Sequence, residues 1–265
     1  MYTVKRALEI LREDGPLRLA SKAGAFLRYR GPIGPLHRRY VRWQRTQLSR
    51  YDAVADPYRK LQADPDDIRR ISGLDYDISA IGTVVDGDWD RSTASFNEYD
   101  LYQAFVAHFR DDVPWCETAF YQRVRSEIET GEMKFGCETV SDLDRRCERV
   151  DELYASIAEH GYLPGEERLS TDPMEDAKRV NYLVPSLDEI KVDIGRTGEL
   201  LFVDGRHRLA IAKVQDLDVV PVLVLRRHAG WQAIRESIVR DDLTERDLEQ
   251  VPDPESHPDL QDLYD

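Results

Sequence analysis

A run of charged residues, Asp204-Gly205-Arg206-His207-Arg208, separates an apolar stretch at 200–203 from a helix-forming stretch at 209–212. The pattern predicts a buried strand, a turn and a helix. The glycine lets the backbone turn sharply and approach a ligand closely. The first turn of the helix offers unpaired N–H groups, and two arginines and a histidine add donors that suit phosphate. We therefore predict a phosphate site at this junction.

Asp204 ends the predicted strand, where a carboxylate can bind Mg²⁺ or orient a hydroxyl group. His207 can contact phosphate or transfer a proton. A second interpretation is structural: Asp204 pairs with Arg206 or Arg208, and the run is only a charged helix start. The basic run at 226–228 leaves two similar alternatives, since it either reaches the same phosphates or ends an edge strand.

The elements around this junction follow from local patterns. Alternation at 189–194 and the apolar run at 200–203 predict a hairpin with its turn at 195–198. The other predicted elements are helices at 99–109, 115–132, 141–160 (capped by Ser141) and 206–214, and strands at 78–85 and 219–225.

Two motifs in this order resemble the ParB/sulfiredoxin superfamily. The helix 151–160 with Gly161-Tyr162-Leu163-Pro164 is similar to its first box, and 203–213 is similar to its second, in which a glycine and basic residues open the helix under the phosphates. The strand at 219–224 is similar to the strand that closes that core. The resemblance covers under a third of the chain.

The resemblance implies an α+β fold, in which a small mixed sheet with helices follows a largely helical N-terminal extension. It implies a nucleoside di- or triphosphate (ATP, ADP or CTP) with Mg²⁺, which Asp204 would bind. The nucleotide and its phosphates would lie against residues of both boxes: Gly205, Arg206, Arg208, His160, Gly161 and Tyr162. A buried structural role is the alternative for His160.

Departures from the family's branches narrow the expected function. Sulfiredoxins carry a cysteine where this chain has Arg206, so peroxiredoxin repair is not expected. Partition proteins continue into a helix-turn-helix module, whereas residues 229–265 carry 11 acidic residues against 3 arginines, so specific DNA binding is not expected.

The branch that fits best phosphorylates a small hydroxyl compound. We therefore expect a nucleotide-dependent phosphotransferase acting on a small or sugar-like alcohol. The alternative is a non-catalytic nucleotide-binding switch or adaptor that uses residues 1–50 to reach a membrane or partner. A ParB-like nuclease or DNA-binding protein is a weaker alternative.

The chain is acidic and poor in lysine. The net charge is −14, from 51 acidic and 37 basic residues, of which only 7 are lysines. An acidic, lysine-poor composition suits a halophilic archaeon; an acidic mesophilic protein is the alternative. We divide the chain into a basic amphipathic helical arm (1–50), a mainly helical extension (51–140), the nucleotide-binding core (141–228), and a helix with an acidic tail (229–265), expected to be disordered beyond about residue 250.

The arm holds 12 basic and 3 acidic residues, with two predicted short helices. It either packs on the acidic body or lies on an anionic membrane surface or acidic partner. Without a long apolar span or a secretory leader, we expect a cytoplasmic protein, with a peripheral position on the inner membrane face as a possibility. The turn at 86–90 holds three aspartates, which suit either a divalent cation or solvent. The three cysteines fit no zinc module.

Overall fold

The structure, a computed structural model, describes residues 33–47, 49–134, 136–163 and 189–264. These ranges form seven α-helices and six β-strands: α1 (Ile33–Gln47), β1 (Lys60–Ala63), β2 (Arg70–Ile71), β3 (Thr83–Val85), α2 (Asp100–Phe109), α3 (Ala119–Glu129), α4 (Val140–His160), β4 (Ile190–Ile194), β5 (Leu200–Asp204), α5 (Arg206–Val214), β6 (Val220–His228), α6 (Ala229–Arg240) and α7 (Glu245–Gln250).

The strands form one mixed sheet in the order β1-β6-β4-β5-β2. The long β6 pairs antiparallel with β1 near its start and parallel with β3 near its end. On its other side it pairs parallel with β4, which forms the predicted antiparallel hairpin with β5. The expectation of an α+β fold with a mixed sheet is confirmed.

The two faces of the sheet bury different clusters. Val222 and Val224 belong to the main core, which includes residues from α2 to α6. Leu223 and Leu225 belong to a smaller cluster with Val41 of α1. Since alternate residues of a strand point to opposite faces, helices cover both sides of β6. The junction between β5 and α5 therefore belongs to a sheet that is packed on both faces.

The segment 51–140, expected to be mainly helical, contributes β1, β2 and β3 to the same sheet as the core strands. The predicted strand at 78–85 is a 3₁₀ turn at Ile78–Ala80 followed by the short β3. The strands β1 and β2 were not predicted, because they are short and pairing with longer strands imposes their conformation.

The cap of α4 also differs from the prediction. Thr139, and not Ser141, caps the helix, through a reciprocal pair of hydrogen bonds with Asp142. This capping box satisfies two N–H groups that the helix leaves unpaired. At its other end α4 stops at Gly161, whose φ is +74°.

The acidic tail is ordered, contrary to the expectation of disorder beyond residue 250. Val251 and Leu260 are buried in the main core, and Asp259 is fully buried. Asp259 Oδ2 accepts hydrogen bonds from Arg227 Nε at 2.9 Å and from Trp231 Nε1 at 2.8 Å. Hydrogen bonds to buried residues that are distant in sequence therefore fix the position of this polar segment.

Two predictions concern residues outside the described ranges: the two short helices of the arm, and a lid or substrate contacts formed by the insertion at 165–186 between the two boxes. The α1 helix was not predicted, because Gly34-Pro35 indicated a break; proline is tolerated in the first turn of a helix, where its missing N–H costs nothing. No helix in the described ranges is long and apolar enough to cross a membrane.

Candidate phosphate site

Gly205 makes the turn from β5 into α5 with a φ of +93°, in the left-handed region. A Cβ at this position would lie 2.9 Å from Ile190 Cα and 3.4 Å from Glu189 O. Both the conformation and the space therefore require glycine. The N-terminal turn of α5 follows directly and can offer its N–H groups to an anion.

Asp204 lies beside this turn, and its partner is Lys191 of β4. Lys191 Nζ is 2.9 Å from Asp204 Oδ2 and also donates to the Glu189 carbonyl oxygen at 3.3 Å. The lysine side chain is 1% exposed and the aspartate side chain 36%. The alternative that pairs Asp204 with Arg206 or Arg208 is not what the described contacts show.

The two arginines of the junction donate hydrogen bonds to tyrosines from different parts of the chain. Arg206 Nη1 donates to the Tyr99 hydroxyl at 2.8 Å, and Arg208 Nη1 donates to the Tyr162 hydroxyl at 3.3 Å. The second pair joins the two motifs of the sequence analysis. A cavity of about 20 Å³, large enough for a water molecule, lies between α4, Gly161, Tyr162 and Arg208.

Beneath Arg208 lies a fully buried carboxylate, Glu189. Its Oε1 is 2.8 Å from Lys60 Nζ, and its Oε2 is 3.8 Å from Arg208 Nη1. The Tyr162 hydroxyl lies 3.5 Å from the same Oε2. A buried carboxylate is stable only when it is paired in this way, so Glu189 fixes the positions of two cations and a tyrosine.

Basic side chains gather at the junction, although the chain as a whole is acidic. In the described part of the chain they are Lys60, Arg146, Lys191, Arg206 and Arg208, and they lie near the carboxylates of Glu189 and Asp204. Burial, and then the charges of Arg149 and Arg206, lower the pKa of Arg146. Arginine and lysine side chains grouped at one point are donors that suit an anion such as phosphate.

His207 is held neutral. Burial, and then the positive charges of Arg146, Arg206 and Arg208, lower the pKa of His207 to about 3. A neutral imidazole can donate a hydrogen bond but brings no charge to a phosphate. It is also a weak base, which counts against the predicted role in proton transfer.

His160 lies apart from this cluster. It is exposed, and its Nδ1 is 3.2 Å from the carbonyl oxygen of Ser156, one turn back along α4. The alternative of a buried structural histidine is therefore wrong. None of its described contacts involves the β5–α5 junction, whereas Gly161 and Tyr162 border the cavity beside Arg208.

The basic run at the end of β6 is bound by the body. Arg226 pairs with buried Asp193 at 3.1 Å, Arg227 pairs with Asp259, and His228 contacts the Gly87 carbonyl oxygen. Neither sequence alternative fits, because β6 is central to the sheet and its cations already have partners there.

An arginine fills the aspartate turn at 86–90. Arg196 Nη2 is 2.8 Å from Asp88 Oδ1 and 2.6 Å from Asp90 Oδ1. The turn is an ion-pair site, whereas the sequence suggested a cation or solvent. In the described part of the chain, no cluster of three or more His, Cys, Asp or Glu side chains could hold a metal ion.

Asp204 could therefore bind Mg²⁺ only as one ligand among several, the others coming from outside the protein. A single protein carboxylate suits a magnesium ion that arrives with the phosphates and keeps most of its ligands from them and from water. The ammonium of Lys191 already neutralises part of the charge of Asp204. A prebuilt metal cage is not what the donor set offers.

Four residues of the site were not predicted from the sequence: Lys191, Glu189, Tyr99 and Arg146. A signal existed for the first two, since Glu189, Lys191 and Asp193 alternate with apolar residues at 189–194, but this alternation was used only to predict a strand. All three are buried, and each pairs with a different strand: β1, β5 and β6. Tyr99 and Arg146 lie far away in sequence, and only the fold brings them to the junction.

Comparison with known proteins identified no relative of this chain. The chain matches no family model, no curated protein and no solved structure. Its function therefore has to be argued from the geometry of the junction.

Proposed function

We propose that the β5–α5 junction binds the phosphates of a nucleoside di- or triphosphate, within a ParB/sulfiredoxin-like core. The observation that carries this proposal is the meeting of an obligatory glycine, a helix N-terminus and a group of basic side chains at one point. Arg206 and Arg208 would hold phosphate oxygens, and the N–H groups after Gly205 would complete the site. Tyr162 and Gly161 would border the nucleotide.

We further propose that the protein transfers a phosphoryl group to a small or sugar-like alcohol. Phosphoryl transfer needs mainly positioning and charge stabilisation. Asp204 would orient the acceptor hydroxyl or a phosphate-bound Mg²⁺, and Lys191 would hold the carboxylate in place. A carboxylate beside phosphates weakens simple anion binding, so its fixed position at this point favours chemistry over binding alone.

A non-catalytic switch is the second candidate, and one observation favours it. Lys191 Nζ already occupies Asp204 Oδ2, so this oxygen is less open to a metal ion or an acceptor hydroxyl. A nuclease or DNA-binding role has less support, because a net charge of −14 repels nucleic acid.

Binding is tested by calorimetry with ATP, ADP, GTP and CTP, with and without Mg²⁺. Arg208→Ala should weaken nucleotide binding at least about tenfold, or about 1.4 kcal/mol. Arg125→Ala is the matched control, since this arginine pairs with Glu129 on the surface of α3. Equal affinities for the wild type and Arg208→Ala would place the phosphate site elsewhere.

Turnover is tested by phosphorus NMR with a panel of acceptors that includes serine, inositol and simple sugars. Asp204→Asn should abolish nucleotide consumption while nucleotide still binds. Because this change strips buried Lys191 of its partner, Asp204→Asn/Lys191→Met is measured beside it as a folded control. Consumption that survives in both variants would contradict the role of Asp204. Binding without consumption across the panel would favour the switch.

A further inference from the structure

The α1 helix exposes a stripe of three large apolar side chains. Leu36, Tyr40 and Trp43 are spaced four and three residues apart, which places them on one face of the helix. Their exposed fractions are 61%, 56% and 51%, and the two aromatic rings lie 6.3 Å apart. Contiguous exposed apolar side chains on a folded domain mark a surface that contacts something else.

The opposite face of α1 anchors the helix to the body. Val41 is buried in the smaller core cluster, and Arg45 donates to the carbonyl oxygens of Ile81 at 2.9 Å and Ser79 at 2.7 Å. Arg42 pairs with Asp56 at 2.6 Å. The helix is therefore fixed with its apolar stripe directed away from the protein.

Arg39 borders the stripe, since it lies three residues after Leu36 and four before Trp43. The fifteen residues of α1 include four arginines and one histidine, and no acidic residue, although Arg42 and Arg45 contact the body. Residues 1–50 hold 12 basic and 3 acidic residues, while the rest of the chain holds 25 and 48. The single strongly basic region of the sequence thus carries an exposed aromatic face.

We propose that the stripe of Leu36, Tyr40 and Trp43 docks on an anionic lipid bilayer. Tryptophan and tyrosine favour the membrane–water interface, because each ring has an apolar body and a polar edge. Arginines beside such a face attract anionic headgroups. The stripe spans about 10 Å along the helix axis, so it suits a helix that lies flat on the surface.

Other occupants fit the charges less well. A second copy of α1 would bring further positive charge and no carboxylate, since the helix has no acidic residue. Residues 1–32 carry 7 basic and 3 acidic residues, so they too would be repelled by α1. An acidic protein surface could also satisfy the arginines and bury the aromatic rings, but it would give the chain no affinity for lipid vesicles, which the experiment below measures.

Salt distinguishes the contributions of charge and apolar surface. At molar salt the Debye length is about 3 Å, so attraction between arginines and headgroups is screened. The aromatic stripe, which salt does not weaken, would then supply most of the binding. Binding to anionic vesicles should therefore weaken, but persist, as KCl is raised from dilute to molar.

The experiment follows the full-length protein with vesicles of phosphatidylglycerol and phosphatidylcholine, and with phosphatidylcholine alone. Co-sedimentation measures binding. Trp43 emission should shift to the blue and be quenched by brominated lipid. Trp89 and Trp231 are already buried, and the partly buried Trp115 packs against Phe105 and Phe109 of α2, so these three should not respond. Trp43→Phe should keep most of the binding and lose the emission change.

Tyr40→Ser/Trp43→Ser should lower the partition coefficient about tenfold or more. Val239→Ser is the matched control, since Val239 is equally exposed but lies on α6. Arg39→Gln should weaken binding about fivefold in dilute salt and little in molar KCl. Circular dichroism and thermal midpoints confirm that each variant is folded.

Three results would overturn the proposal. The wild type could fail to sediment with anionic vesicles in dilute salt. The double serine variant could bind as tightly as the wild type. Light scattering could instead show self-association that the double variant abolishes, which would make the stripe a contact between copies of the chain.

Discussion

Lys191 Nζ lies 2.9 Å from Asp204 Oδ2, and the two partners differ sharply in their access to water. The ammonium group of Lys191 is buried, while the carboxylate of Asp204 is partly exposed at the junction where phosphate is proposed to bind. Water can therefore solvate Asp204 if the lysine is removed. It cannot solvate Lys191 if the aspartate is removed.

This asymmetry predicts unequal costs for the two single changes. Asp204→Asn should lower the free energy of unfolding by about 3 kcal/mol, because it leaves a buried charge without its partner. Lys191→Met should cost only about 1 kcal/mol, since the exposed carboxylate regains water. Asp204→Asn/Lys191→Met should be more stable than Asp204→Asn alone. Urea unfolding of all four proteins gives the coupling energy, and a coupling near zero would contradict the pairing.

A second prediction concerns the turn at Gly205. Gly205→Ala should lower the free energy of unfolding by about 2 kcal/mol or more, because an alanine there adopts a left-handed conformation and its Cβ meets Ile190 Cα. The displaced turn should also weaken nucleotide binding.

Gly131 is the control for that change. Its φ is +89°, close to that of Gly205, but a Cβ there would meet nothing within 4 Å. Gly131→Ala should therefore carry only the conformational cost of about 1 kcal/mol and leave binding intact. Equal losses at the two glycines would show that the approach to Ile190 has no effect on stability.

A third prediction follows from the pKa of His207, which burial and three arginines lower to about 3. An unfolded chain binds a proton at this histidine below about pH 6.5. Between pH 6.5 and 3 the unfolded state therefore holds more protons than the folded state. Stability should fall as the pH falls through this window, by up to about 1.4 kcal/mol per pH unit from this group alone.

His207→Gln should flatten the dependence of stability on pH in that window, as measured by urea unfolding at a series of pH values. The carboxylates of the protein contribute equally to both curves, so the difference isolates the histidine. Proton NMR of the imidazole gives an independent check. A His207 signal that titrates near pH 6.5 in the folded protein would contradict the prediction.

What could be predicted from sequence depended on how local the signal was. The helix at 206–214 and the hairpin before it were predicted within about one residue, because a glycine turn and apolar runs specify them locally. Lys60–Ala63 and Arg70–Ile71 carry no such pattern, and they are strands because β6 and β5 pair with them.

The candidate site divides in the same way. Gly205 and its arginines were found from a contiguous motif, whereas the partner of Asp204 comes from another strand. Alternating charges at 189–194 predicted a strand but not the burial of its charged residues, which is rare. Here each charge is buried together with an opposite charge, and the sequence did not specify those pairings.

The last prediction concerns the ordered acidic tail, where a buried charge is again paired with opposite charges. Asp259 is fully buried with a pKa of about 2, below its ordinary value despite burial, because of the charges of Arg227 and Arg235 and hydrogen bonds from Arg227 and Trp231. Asp259→Asn keeps the shape but leaves buried arginine charge uncompensated, so it should cost about 3 to 5 kcal/mol in urea unfolding. Asp262→Asn is the matched control, since Asp262 pairs with the same Arg235 but is 23% exposed, and it should cost about 1 kcal/mol. A small, equal loss in both variants would mean that the buried ion pairs of Asp259 do not attach the tail to β6.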